Sequence, residues 1–306
     1  MKLTYHEGRN FGDALNPLVF NKLFPGFFDD DERTLFIGIG SIFGLKKGDE
    51  RTERRIYFSS GFAAGASNTY GTLPNLGPSD DVVCVRGPLT AKALGLPADK
   101  AIADGAILVR PLLGLERSTT VVPFAYMPHV GSFHFYKDWE GLLAELGIAL
   151  IDPRDESMAV LQRIQGTGVL LAEAMHGAIL ADALGVPWVP VVCYDTINAF
   201  KWRDFTSSME LDYTPQRVPP LFDRDFAAVM MQHRMQRVGL GPLRGLATRS
   251  YAAYQQGVVR GRVTRAFERI MRVRPELSDR KVLDLRIGSL LERAEYVRHT
   301  YGKHIS

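Results

Sequence analysis

The stretch VLLAEAMHGAILADALGVPWVPVV, residues 169–192, sets the architecture to expect. It opens with the apolar run Val169 to Ala172, passes through a helix-length series of small and apolar residues from His176 to Leu184, and turns at Gly185 into a second apolar run, Val186 to Val192. Strand, helix and strand in so short a span form a βαβ unit, and such units build parallel sheets.

The same rhythm extends outward in both directions. Upstream it predicts strands at Val121 to Tyr126 and Ile148 to Ile151, with helices at Asp138 to Leu146 and Glu156 to Gln165. Before a pause at Pro111 to Thr120, strands are expected at Lys2 to His6, Leu35 to Ile39, Ile56 to Ser59, Val82 to Val85 and Ala101 to Ala103. Helices between them are expected from an Asp13 cap to Pro25-Gly26, and from Pro88 to Leu94 before Gly95. Two α/β series of roughly 100 residues each fit two Rossmann-like domains, 1–116 and 117–214, facing across a cleft. The cluster TPQRVPP, from Thr214, marks the boundary of a helical, arginine-rich extension, 215–306.

Charge separates along the same boundary. The chain of 306 residues carries 37 Lys+Arg against 34 Asp+Glu, a net +3. Residues 232–306 hold 16 Lys+Arg and 6 Asp+Glu, or +10, which leaves −7 for residues 1–231. A composition 46% hydrophobic and 10% aromatic excludes a wholly disordered, collagen-like or coiled-coil chain. Cys84 and Cys193 stand far apart in apolar runs and suit buried hydrophobes, since two cysteines make neither a disulfide framework nor a zinc site. No H-E-x-x-H or acidic cluster points to a metal. MKLTYHEGRNFGD lacks an apolar signal core, and no run approaches the roughly 18 apolar residues of a membrane span, so the expectation is a cytoplasmic protein.

Candidate site residues gather at predicted strand ends. The first loop, Gly8-Arg9-Asn10-Phe11-Gly12-Asp13, suits an anion or sugar hydroxyl at a helix start, though Asp13 also reads as a plain cap. Gly38-Ile39-Gly40-Ser41 and Ser59-Ser60-Gly61 would share that edge. Arg86, before Gly87-Pro88, can clamp a carboxylate or phosphate, or make an ordinary ion pair. Asp104-Gly105 is a further polar strand end, with helix capping as its plain reading. Glu173 and His176 leave the quoted strand together, which makes His176 a proton donor or acceptor and Glu173 its orienting partner or a base. His129 and His134 follow the first strand of the second series, and His129 is a substrate-binding candidate. In Asn198-Ala199-Phe200-Lys201-Trp202-Arg203, Lys201 and Arg203 offer charge to a phosphate and Trp202 a flat face to a sugar ring; a solvated helix start over a buried Trp is the alternative.

On Asn10-Phe11-Gly12-Asp13, Gly38-Ile39-Gly40-Ser41, Val85-Arg86-Gly87-Pro88, Ala103-Asp104-Gly105, Met175-His176-Gly177 and Phe200-Lys201-Trp202, the chain resembles the polysaccharide pyruvyl transferase family over about residues 5 to 210. The similarity is to the branch that modifies exopolysaccharides of the succinoglycan and xanthan type. It implies a glycosyltransferase-B-like fold and transfer of a pyruvyl group from phosphoenolpyruvate to two sugar hydroxyls, forming a cyclic ketal and releasing phosphate. No cofactor is implied. Catalytic candidates are then His176, Asp13 and Glu173; donor-binding candidates are Arg86, Lys201 and Arg203; substrate-binding candidates are Asn10, Gly40, Ser41, Gly61, His129 and Trp202. Where the family places arginine two residues before the histidine, Ala174 stands here, so the phosphate grip must come from elsewhere. The acceptor implied is a lipid-linked oligosaccharide, with the protein peripheral at the inner face of the membrane.

Val259, Val263, Phe267 and Ile270 form an apolar helical stripe, and Arg262, Arg265, Arg269 and Arg272 a cationic one. That helix suits an anionic membrane surface, or packs on the body with its arginines outward. Other enzyme and binding readings are a nucleotide-sugar glycosyltransferase, lacking an identifiable ribose-binding acid, and a non-catalytic carbohydrate-binding subunit. Nucleic-acid binding has only the basic tail in its favour, without a recognised motif.

Overall fold

Apolar runs without polar alternation belong in strands covered on both faces, and they pair here into two parallel sheets. The computed structural model describes residues 1–43, 48, 50–65, 72–115, 122–237 and 244–302. In the first sheet β1 (Lys2–Thr4), β2 (Thr34–Ile37), β3 (Arg54–Ser60) and β4 (Asp80–Val85) lie side by side in chain order. The second holds β5 (Val122–Met127), β6 (Ala149–Leu150), β7 (Thr167–Ala172), β8 (Trp188–Val192) and β9 (Gln216–Arg217), ordered β6-β5-β7-β8-β9. Helices α1 (Leu15–Leu23), α2 (Pro88–Ala93), α3 (Val109–Leu112), α4 (Ser132–Phe135), α5 (Trp139–Ala144), α6 (Ser157–Gln165), α7 (Met175–Leu184) and α8 (Ala199–Ser208) alternate with them. The chain ends in α9 (Arg224–Arg237), α10 (Arg244–Tyr254), α11 (Arg260–Ile270) and α12 (Arg280–Tyr301). The boundary expected after residue 116 lies outside the described residues.

Local chemistry sets several helix ends. Asp138, Glu156 and Asn198 cap α5, α6 and α8 by accepting first-turn amides, and Gly185 closes α7 in the left-handed conformation at φ +76°. Two expectations need correction. Asp13 does not cap α1, whose N-cap is Ala14 without a side-chain bond; its carboxylate instead takes the Asn10 amide at 2.7 Å. The expected strand at Ala101 to Ala103 shrinks to one bridge, Val85 to Ala101, because Asp104 accepts the Ala106 amide and turns the chain into a short 3-10 helix, Gly105–Leu108.

Packing joins the two sheets and the C-terminal helices. One apolar cluster runs from Phe11, Leu15 and Phe58 to Met127, Ile179 and Trp188, and takes in Leu283, Leu290 and Val297 of α12. Across it the Phe11 amide donates to Pro153, and Ser157 Oγ donates to the Phe11 carbonyl. Val259, Val263, Ala266, Phe267 and Ile270 close a second cluster with Tyr126, Trp139 and Leu171. The apolar stripe of α11 is therefore spent on the protein itself, which corrects the picture of that face resting in a membrane. Arg262, Arg265, Arg269 and Arg272 remain exposed. Among the described residues no helix is long and apolar enough to cross a membrane.

Candidate active site

In the second sheet β5 is followed by β6 on one side and β7 pairs on the other, so the strand order reverses between β5 and β7. Loops diverge at such a reversal and leave a crevice at the carboxyl ends of the strands. A cavity of about 450 Å³ lies there. Loops after β5, β7 and β8 contribute His129, His176, Thr196, Asn198 and Lys201; those after β1, β2 and β3 contribute Asn10, Asp13, Ser41 and Ala63 from the other sheet.

Six of the expected residues thus meet: Asn10, Asp13, Ser41, His129, His176 and Lys201. His176, the second residue of α7, is pressed against the first loop. A Cβ on Gly12 would fall 2.0 Å from its Nδ1, so glycine is the residue that lets the ring stand there. Asp13, 8% exposed, turns its carboxylate to the same wall. His129 accepts the Gly131 amide on Nδ1, which leaves Nε2 as its donor. The Nζ of Lys201 makes no hydrogen bond among the described residues, while its main-chain amide is held by the Asn198 cap.

Other expected residues sit elsewhere. Arg86 is sealed in the interior, with Nε on Asp204 at 3.0 Å, Nη1 on Ser41 at 2.6 Å and Nη2 on the Phe62 carbonyl at 2.9 Å. It holds Ser41 and lends its field to the cavity without lining it. Gly61 permits this burial, since a Cβ there would lie 2.1 Å from the guanidinium carbon. Gly40, at φ +133°, accepts the Gly61 amide through its carbonyl and keeps the β2 and β3 ends together.

Glu173, expected as a catalyst, does not line the cavity. Fully buried, it accepts Tyr126 Oη, the His129 amide, Ser132 Oγ and the Cys193 amide, and so fixes the ends of β5, β7 and β8. Trp202, 2% exposed, packs against Trp188 and stacks on Tyr213, and presents no face to a sugar. Arg203 is exposed and outside the cavity. Conversely His6, Arg9, Thr196 and Asn198 line it without having been singled out. Their position in loops directly after β1 and β8 was the available signal.

Burial sets the electrostatics. It pushes His176 down to about 4; Lys201 and Arg86 act in the same sense and Asp13 opposes them. His129 is likewise driven to about 4 by burial, assisted by Lys201 and His176. Lys201 falls to about 8, first through burial and then through Arg86, against Asp13 and Asp104. Near pH 7 His129 and His176 therefore stand in the cavity as neutral imidazoles and Lys201 as an unpaired ammonium, beside Asp13 and with Arg9 exposed at the wall. Such a set has the chemistry to bind a small anion and to move protons. Among the described residues no group of three His, Cys, Asp or Glu is placed to hold a metal.

No protein-family model matches the chain, and no solved structure matches it. Over 223 residues, covering 72% of this chain and 68% of the relative, it is 36% identical to the succinoglycan biosynthesis protein ExoV of Rhizobium meliloti strain 1021.

Proposed function

The chain belongs to the family of that succinoglycan biosynthesis protein, and from this membership we propose that it transfers a pyruvyl group from phosphoenolpyruvate to two hydroxyls of one sugar in an exopolysaccharide repeat unit. The product is a cyclic ketal, phosphate is released, and no cofactor takes part. In this reading the two sheets belong to two Rossmann-like domains in a glycosyltransferase-B-like arrangement. The observation that carries it is the unpaired Lys201 ammonium in one cavity with His176 and Asp13.

Phosphoenolpyruvate offers a phosphate and a carboxylate. Lys201 meets one and Arg9 the other, while the Arg86 field favours both. One sugar hydroxyl adds to C2 of the donor as C3 gains a proton and becomes a methyl group. The second hydroxyl displaces phosphate from C2, and its proton leaves with the phosphate. His176 takes the proton of the first hydroxyl and delivers it to C3, where it completes the methyl group. Neutral near pH 7, it is able to accept that proton, and Asp13 stabilises the imidazolium that forms in passing.

The acceptor is an oligosaccharide on a lipid carrier, which the exposed arginines of α11 keep near an anionic surface. The test is incubation of the protein and its His176→Ala variant with phosphoenolpyruvate and oligosaccharides of the source organism's own exopolysaccharide. Mass spectrometry should find one pyruvyl ketal per accepting sugar with the parent and none with the variant. Unmodified acceptors, or sugar transfer from a nucleotide donor instead, would refute the proposal.

A further inference from the structure

Behind the cavity wall two sealed polar atoms face each other without partners. Among the described residues the buried side-chain nitrogens and oxygens lacking a hydrogen bond are Ser59 Oγ, Asp104 Oδ2, Trp139 Nε1, Gln165 Oε1 and His176 Nε2. Two of them, Asp104 Oδ2 and His176 Nε2, stand 4.0 Å apart. A third, Ser59 Oγ, lies where a Cβ on Gly105, the neighbour of Asp104, would approach to 2.3 Å. Leaving such atoms unpaired costs about 1–3 kcal/mol each, so their gathering at one wall of the site calls for a use.

Asp104 is held to this orientation. Its Oδ1 accepts the Ala106 amide at 3.0 Å, which opens the short helix Gly105–Leu108 and leaves Oδ2 toward the ring. The imidazole is held too, since Gly12 packs on its other nitrogen. Nδ1 is not among the sealed atoms, and the wall it rests on continues into Asn10, Phe11 and Asp13 of the cavity.

We propose that Asp104 is the positioning residue of His176: its Oδ2 accepts the Nε2–H, fixing the tautomer whose free Nδ1 lone pair serves the cavity. The 4.0 Å separation exceeds a hydrogen bond, and bonds of this kind commonly tighten when substrate is bound. Asp104 keeps its charge while His176 cycles between neutral and protonated forms, as in other carboxylate–histidine pairs. Its kinetic consequence rests on the pyruvyl-transfer reading; the tautomer does not.

The experiment is nitrogen NMR of ¹⁵N-histidine-labelled full-length protein at pH 7.5 with phosphoenolpyruvate present, the His176 signals identified by their loss in His176→Gln. The parent should show Nε2–H. In Asp104→Asn the amide oxygen retains the Ala106 bond, and its N–H₂ facing the ring should shift the proton to Nδ1. With that shift, kcat should fall roughly 10²- to 10⁴-fold at nearly constant KM for phosphoenolpyruvate. An Nδ1–H parent, or an unaltered tautomer in a folded Asp104→Asn, would overturn the pairing. Should Asp104→Asn fail to fold, the parent spectrum alone still decides. A tautomer switch in a protein that pyruvylates nothing would sustain the pairing and defeat only the assigned reaction.

Discussion

At Gly12 a single hydrogen atom sets the geometry of the site. An added methyl would stand 2.0 Å from His176 Nδ1, so Gly12→Ala must displace the imidazole. Pyruvyl transfer should drop about 100-fold or more, the usual consequence of misplacing a reacting group by an ångström, while urea unfolding shows a loss of about 1–3 kcal/mol from overpacking. A folded variant with parental activity would contradict the role given to the ring. Lys201 supplies the pH dependence. Its ammonium, lowered to about 8, is charged and able to hold the anionic donor below that pH, and loses its charge above it. The kcat/KM for phosphoenolpyruvate should therefore decline above about pH 8, and Lys201→Arg, which stays protonated, should carry that decline to higher pH. An alkaline limb that does not move would exclude Lys201 as its source. The place of Lys201 at the cavity was legible, because a lysine beside a strand end is a local signal, whereas the contact of Gly12 with His176 joins residues far apart in the chain and was not. Trp202 was not: one helix turn presents Lys201 to the cavity and Trp202 to the core, and only packing against Trp188 and Tyr213 decides between them.

Among the elements, β7 and α7 were readable because apolar run, small-residue helix and closing glycine are all properties of neighbouring residues. What ties α2 to α8 was not. Asp204 receives Arg86 Nε, the Thr90 amide and Thr90 Oγ1, and it lies 118 residues from Arg86. No local pattern marks a partner at that distance. Both side chains are fully buried, so Asp204→Ala strands a guanidinium in the interior and should cost about 3–5 kcal/mol, measured by urea denaturation. A loss under 1 kcal/mol would mean that the pair is not an important tie between these helices. For the same reason Glu173 reads as a catalyst in the sequence. A carboxylate three residues from a histidine gives no sign that Tyr126, His129, Ser132 and Cys193 already fill its oxygens.

For the whole molecule, the separation of charge along the chain was legible, whereas the surface that the basic segment covers was not. Helix α12 returns to the first sheet, with Arg293 on Asp99 and Tyr301 on Asp81, and α11 docks on the second through its apolar stripe. What faces outward is the arginine row, so any attachment to a membrane is electrostatic and shallow. Replacing Arg262, Arg265, Arg269 and Arg272 together by Gln should abolish sedimentation with anionic vesicles at low salt and leave the thermal transition near its parental value. Binding that survives both the substitutions and high salt would refute this surface. Pyruvyl transfer to an acceptor oligosaccharide in D₂O, followed by NMR of the product, tests the reaction itself. One phosphate should be released per ketal, with one solvent deuteron in the ketal methyl group; a ketal methyl free of deuterium, or phosphoenolpyruvate consumed without ketal, would rule out this reaction.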